Sequence, residues 1–268
     1  ALSVSVSSKS LDNLWMLGSA TTYGWGLNDA QPFYKTTDST FVYEGPMNAG
    51  TFKIPTVLNG KFEVPYLMPV NQGANPLSDN KMEYVSASIY NVGQHDYQWQ
   101  ISKAGYYKVE INISSMTISC EPVDLTDTFK QFLAYNTLLK NGLMIYMVGD
   151  ATPNGWDISN AVSLHYNAMV DKNCYTWEGN LNSGEIKFPL IRSTKWEVPF
   201  YMSESSDEAP SASGNNITFV DNSAGNLPDM KWKISNPGYY KIKLDLVNNK
   251  VYFIKEYYTN KVMKKHIK

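Results

Sequence analysis

The residues with chemical potential in this chain come in pairs. Trp25 and Trp156 each follow a glycine in a turn directly after an apolar run, where no adjacent strand offers the indole a packing face. Trp196 lies in the polar stretch Ser193-Thr194-Lys195-Trp196-Glu197, and Phe62 holds the matching place earlier in the chain. Lys53 stands between Phe52 and Ile54, and Lys187 between Ile186 and Phe188. Strand alternation turns each ammonium away from the core that its apolar neighbours enter, so both lysines are expected to face outward. Aromatic faces beside an ammonium suit sugar binding. The rings cover the apolar C–H faces of a pyranose, and the lysine donates to its hydroxyls.

Other chemistries have weaker supports. Glycoside hydrolysis needs two carboxyl groups facing one cleft. Glu44 recurs as Glu178 and Glu63 as Glu197, but each sits at a strand end beside Gly or Pro, where a carboxylate serves loop amides. There is no Gly-x-Ser-x-Gly elbow and no Walker-type phosphate loop. The chain is therefore read as non-catalytic, and no cofactor is expected. Cys120 and Cys174 are too far apart for a Cys-x-x-Cys motif, and His95, His165 and His266 are scattered, so no zinc site is expected. The acidic stretches Ser203–Glu208 and Asp221–Asp229 carry oxygen ligands without EF-hand spacing, and they read as solvated loops rather than metal sites.

The elements that must position these residues repeat. Residues 14–25, LWMLGSATTYGW, match residues 145–156, IYMVGDATPNGW. Tyr43-Glu44-Gly45 then matches Trp177-Glu178-Gly179, and Thr51–Pro55 matches Glu185–Pro189. Phe62–Tyr66 matches Trp196–Phe200, Trp99–Ser102 matches Trp232–Ser235, and Gly105–Lys108 matches Gly238–Lys241. Six blocks in one order point to two homologous domains, 12–123 and 143–257. Residues 124–142 form a linker in which Phe129, Phe132 and Leu133 have helical spacing and Gly142 is placed for a stop; a short helix and a flexible tether are both open. Residues 258–268 read as a basic tail.

Within each copy the period is two. Tyr107–Ile113 and Tyr239–Leu246 alternate apolar and polar residues, and each is followed by a turn and another strand. The expected fold class is all-β: two tandem β-sandwiches, with Trp15, Trp99 and Trp232 in their cores. Composition agrees. Of 268 residues, 43% are hydrophobic, enough for packed cores, and 13% are aromatic. A net charge of −2 lacks the basic footprint of a nucleic-acid binder. No run of 18 apolar residues predicts a membrane-spanning helix. The opening ALSVSVSSKS does not read as an intact signal peptide.

The Gly-Asp-Ala-Thr-x-x-Gly-Trp segment at 149–156, the Lys-Phe-Pro at 187–189 and the Lys-Trp at 195–196 resemble the SusE/SusF outer-membrane starch-binding proteins of Bacteroidetes. The resemblance covers both repeats. It implies tandem carbohydrate-binding modules of immunoglobulin-like sandwich fold, carried on a non-catalytic surface lipoprotein of the cell outer membrane. Its ligand would be a starch-type α-glucan, and its partners other outer-membrane glycan-uptake proteins. Residue by residue it assigns glycan contact to Trp156, Trp196 and Lys187 in the second module and to Trp25 and Lys53 in the first. Phe62 replaces the second tryptophan there, which makes the second module the stronger expected binder. A structural or adhesive β-sandwich pair that binds a protein partner is the competing reading.

Overall fold

A computed structural model describes residues 11–91, 95–131, 144–225 and 228–257. The tail 258–268 and most of the expected linker helix, including Phe132, Leu133 and Gly142, lie outside the described residues; 127–131 are helical, with Lys130 N–H donating to the Thr126 carbonyl. The fold is all-β, and its sheets are antiparallel throughout. The chain divides into two compact units. One runs to Leu125 and includes Asn167–Val170; the other comprises Thr126–Tyr166 and the chain from Asp171 onward.

In the first unit the main sheet has four strands in the order Thr117–Pro122, Gly105–Asn112, Thr40–Met47, Tyr34–Lys35. Alternation along Gly105–Asn112 puts Tyr107, Val109 and Ile111 inside and leaves Lys108 and Glu110 part-exposed, the pattern of a half-buried strand. These inward residues pack with Phe41, Tyr43, Phe52, Ile54, Trp99 and Ile101 in one core. Smaller ladders close the other side: Gly50–Phe52 with Trp99–Ile101, and Ile54–Pro55 with Tyr66–Pro69 and Met82–Val85. Val64, Tyr66, Met68 and Val85 form a second apolar cluster, with Tyr90 and Tyr97 packed against it. Trp99 and Trp232 are fully buried, whereas Trp15 is only half-buried between the fully buried Leu14 and Met16. Leu14 and Met16 both lie in the core cluster, so alternation along the chain directs the intervening indole to the other side.

The second unit repeats the parts. Its main sheet has six strands in the order Ile145–Met147, Val162–Tyr166, Cys174–Leu181, Gly238–Asp245, Lys250–Lys255, Asn215–Asn216. Gly184–Ile186 pairs with Trp232–Ile234, and Phe188–Pro189 pairs with Phe200–Met202, which pairs with Thr218–Val220. The repeated Gly-Tyr-Tyr block anchors its strand in the same way in both units. Tyr107 donates its hydroxyl hydrogen to the Lys103 carbonyl, and Tyr240 donates to the Asn236 carbonyl, at 2.8 and 2.7 Å.

Cys120 and Cys174 are buried free thiols. Burial pushes the Cys120 thiol up to about 12, and that of Cys174 up as well, so both stay protonated and act as small core residues.

Candidate glycan-binding clefts

The Gly-x-Ala-Thr-x-x-Gly-Trp motif is a self-closed loop in which the residues before the tryptophan are tied by hydrogen bonds. Gly18 N–H donates to the Gly24 carbonyl and Gly149 N–H to the Gly155 carbonyl, at 3.1 and 3.0 Å. The threonine hydroxyls of Thr21 and Thr152 donate back to the Gly18 and Gly149 carbonyls, at 2.9 and 2.8 Å. The variable second position is an acceptor in both copies: Ser19 Oγ takes the Thr51 N–H, and Asp150 Oδ1 takes the Glu185 N–H. Ala20 and Ala151 N–H groups return to the Thr51 and Glu185 carbonyls. A side chain at Gly149 is excluded, because its Cβ would stand 2.0 Å from the Glu185 carbonyl oxygen at φ +140°; Gly18 meets Thr51 in the same way. The loop is thereby sutured to the strand that leads into the lysine. Leu17 and Lys53 exchange both backbone hydrogen bonds, as do Val148 and Lys187. Trp25 and Trp156 are thus delivered beside the lysine of their own unit.

In the second unit, Trp156 and Trp196 are each more than a third exposed, with ring centroids 6.0 Å apart and planes inclined by 59°. Lys187 Nζ lies 5.9 Å from the Trp156 ring, 5.1 Å from Trp196 and 4.3 Å from Phe200. Trp196 is held from behind: its ring stacks on Phe200 at 6.3 Å and its carbonyl accepts the Asn222 side-chain N–H at 2.7 Å. Trp156, Lys187, Trp196 and Asn222 line a cleft of about 380 Å³ together with Glu185, Met202, Gly225, Pro228, Asp229 and Lys231.

In the first unit Lys53 has the same surroundings in different residues. Its Nζ lies 4.3 Å from the Tyr66 ring, 4.3 Å from Tyr90 and 5.8 Å from Trp25. Three rings within about 6 Å of an ammonium are a cation–π enclosure. Phe62, the counterpart of Trp196, is exposed. Its link to this group is its backbone carbonyl, which accepts the Tyr66 hydroxyl hydrogen at 2.8 Å.

The two lysines do not face solvent as alternation led us to expect. Lys53 is 1% exposed and Lys187 5%. Alternation itself is obeyed: Phe52 and Ile54 enter the main core, and Lys53 turns to the opposite side. That side is roofed by Tyr66 and Tyr90, or by Phe200 and Trp196 in the second unit, so the outward direction leads under an aromatic layer. A buried ammonium needs a partner. Lys53 has Asp96 at 2.6 Å and Lys187 has Asp229 at 2.7 Å. Burial lowers the pKa of both lysines, and the aspartates oppose that shift.

Sequence reasoning missed Asp96, Asp229, Tyr66, Phe200, Tyr90 and Lys231. The first four had a signal, since Asp-x-x-Trp recurs at 96–99 and 229–232 and Val-Pro-Tyr/Phe at 64–66 and 198–200. Tyr90 had none: it comes from the short Ala87–Asn91 helix in a segment without a matched block.

Of the paired glutamates, Glu44 and Glu178 lie opposite lysines across the main ladders. Glu178 bonds Lys241 across the ladder at 3.4 Å, and Glu44 stands opposite Lys108 in register. In the acidic loops, Glu208 accepts from Glu204 N–H and from the Asn215 side chain, and Asp221 accepts from Ser223 N–H. Among the described residues no three His, Cys, Asp or Glu side chains gather as a metal site would require.

Fold and site geometry together define an all-β chain whose two units each hold a buried lysine under aromatic rings, paired with an exposed aspartate. Compared with models of known families and with curated protein sequences, the chain matches none.

Proposed function

We propose that the protein is a non-catalytic glycan-binding protein and that its ligand is a starch-type α-glucan. The observation that carries this reading is the Trp156–Trp196 pair: two part-exposed indole faces, inclined to one another, over a lysine donor at the floor of one cleft. Inclined platforms suit a polymer whose successive sugars turn, as the residues of an α-1,4-glucan do. The donors and acceptors at the floor suit hydroxyls, and the rings suit the C–H faces between them. By the sequence resemblance, the protein would act as a surface lipoprotein of the outer membrane, alongside glycan-uptake proteins.

The test is a glycan array followed by calorimetry with maltoheptaose on the intact chain. Heat of binding that disappears in Trp156→Ala and Trp196→Ala supports the reading. An array on which no glycan is retained would sink it and favour the protein-partner alternative, and release of reducing ends from amylose would make the protein an enzyme.

A further inference from the structure

Lys187 is a strong, charge-assisted donor to a ligand only while something keeps its ammonium charged and aimed. Its side chain is 6% exposed, and burial acts against the charge. The charged groups facing it are Asp229 and Lys231, from the segment that enters the Trp232–Ile234 strand, and Glu185, two residues before it on the Gly184–Ile186 strand. The other elements packed on it present the uncharged rings of Trp156, Trp196 and Phe200. Asp229 is the hub of this set. Its Oδ1 takes Lys187 at 2.7 Å and its Oδ2 takes Lys231 at 3.0 Å, while Lys231 also reaches Glu185 Oε2 at 3.5 Å. With both oxygens engaged, the carboxylate is fixed in rotation, and Lys187 is drawn to one corner of the cleft. One of its three N–H donors is used on Asp229, leaving two for a ligand.

We propose that Asp229 is a positioning residue of the second cleft, which holds Lys187 charged and oriented beneath the Trp156–Trp196 pair, and that Lys231 with Glu185 locks Asp229 in that role. This rests on the glycan-binding reading of the same cleft. The lock belongs to the second unit: the positions of Lys231 and Glu185 are held by Gln98 and Thr51 in the first, where the Lys53–Asp96 pair stands without them.

The experiment uses the full chain carrying Trp25→Ala, so that the Lys53 site of the first unit does not contribute, with and without Asp229→Asn. Maltoheptaose affinity is measured by calorimetry from about pH 5 to about pH 9, and the Lys187 side-chain carbon next to Nζ is followed by NMR over the same range. With Asp229 present, affinity is expected to stay level. In Asp229→Asn the ammonium loses its counter-charge while Lys231 still repels it, so it releases its proton at lower pH. Affinity then falls by up to about tenfold per pH unit above that midpoint. Asp229→Glu restores the level profile.

A parallel pH profile in the two forms, with Lys187 titrating unchanged, would overturn the proposal. Absence of maltoheptaose binding in every form refutes the glucan reading instead, and the NMR titration still decides the role of Asp229. Should Asp229→Asn not fold, the same carbon in the unsubstituted chain decides: it is expected to shift as Asp229 takes up its proton in acid, and a resonance indifferent to that step counts against the role.

Discussion

At the scale of single residues, the second cleft concentrates its apolar contact in two indoles. Truncating such an anchor costs about 2 kcal/mol or more, roughly thirtyfold in affinity. Trp196→Ala and Trp156→Ala are each expected to weaken maltoheptaose binding by that order, read by calorimetry in a Trp25→Ala chain. A change under about threefold would remove the indoles from the site. Asp229 also carries a stability prediction. Burial pushes its carboxyl pKa up, but hydrogen bonds and charge from Lys187 and Lys231 outweigh that and hold it below the usual 3.8. A carboxylate with a depressed folded pKa adds stability that is complete above 3.8 and lost as pH falls through the folded value. Thermal unfolding from about pH 5 down to about pH 2 should therefore show a steeper loss for the native chain than for Asp229→Asn. Equal slopes would mean that the ion pair contributes nothing to folding.

At the scale of elements, the sutured loop places each tryptophan. Gly149 has φ +140° and approaches the Glu185 carbonyl so closely that a methyl group cannot enter without moving the strand that leads to Lys187. Gly73 also has a positive φ, of +72°, yet meets nothing within 4 Å. Gly149→Ala adds a backbone clash to the dihedral penalty, and Gly73→Ala incurs the dihedral penalty alone, about 1 kcal/mol. Gly149→Ala is expected to lower the melting temperature by several degrees more than Gly73→Ala and to weaken glucan binding with it. Equal melting temperatures would show that the loop is not held to the strand as described.

At the scale of the whole molecule, duplication matters for a polymer more than for a short sugar. Two linked weak sites bind a polymer about 10²–10⁴ times more tightly than either alone when both engage. Trp156→Ala in an otherwise native chain should therefore lose far more affinity for amylopectin than Trp25→Ala loses for maltoheptaose, measured by affinity electrophoresis and calorimetry. The two units are also expected to be unequal. The second offers two indoles, whereas the first offers Trp25 with Tyr66 and Tyr90 around Lys53 and leaves Phe62 joined through its backbone. Stronger binding by the first unit would mean that the tyrosines, rather than a second indole, set affinity.

The strands, their alternation and the recurrence of Gly-x-Ala-Thr-x-x-Gly-Trp were legible in the chain, because period two and turn chemistry are local properties that neighbouring residues decide among themselves. Trp156, Trp196 and Lys187 could be nominated from their types and company, and in the structure they line one cleft. The side to which Lys53 and Lys187 turn was also legible. What covers that side was not, because it depends on Tyr66 and Phe200 from the strand paired next to each lysine, Trp196 from the turn before that strand and Tyr90 from a helix, all folding back over the lysine. The same holds for Asp96 and Asp229, which lie 43 and 42 residues along the chain from their lysines. A buried ammonium calls for a carboxylate, but only the folded chain determines which one reaches it, since ion pairing acts through space and leaves no local periodicity to read.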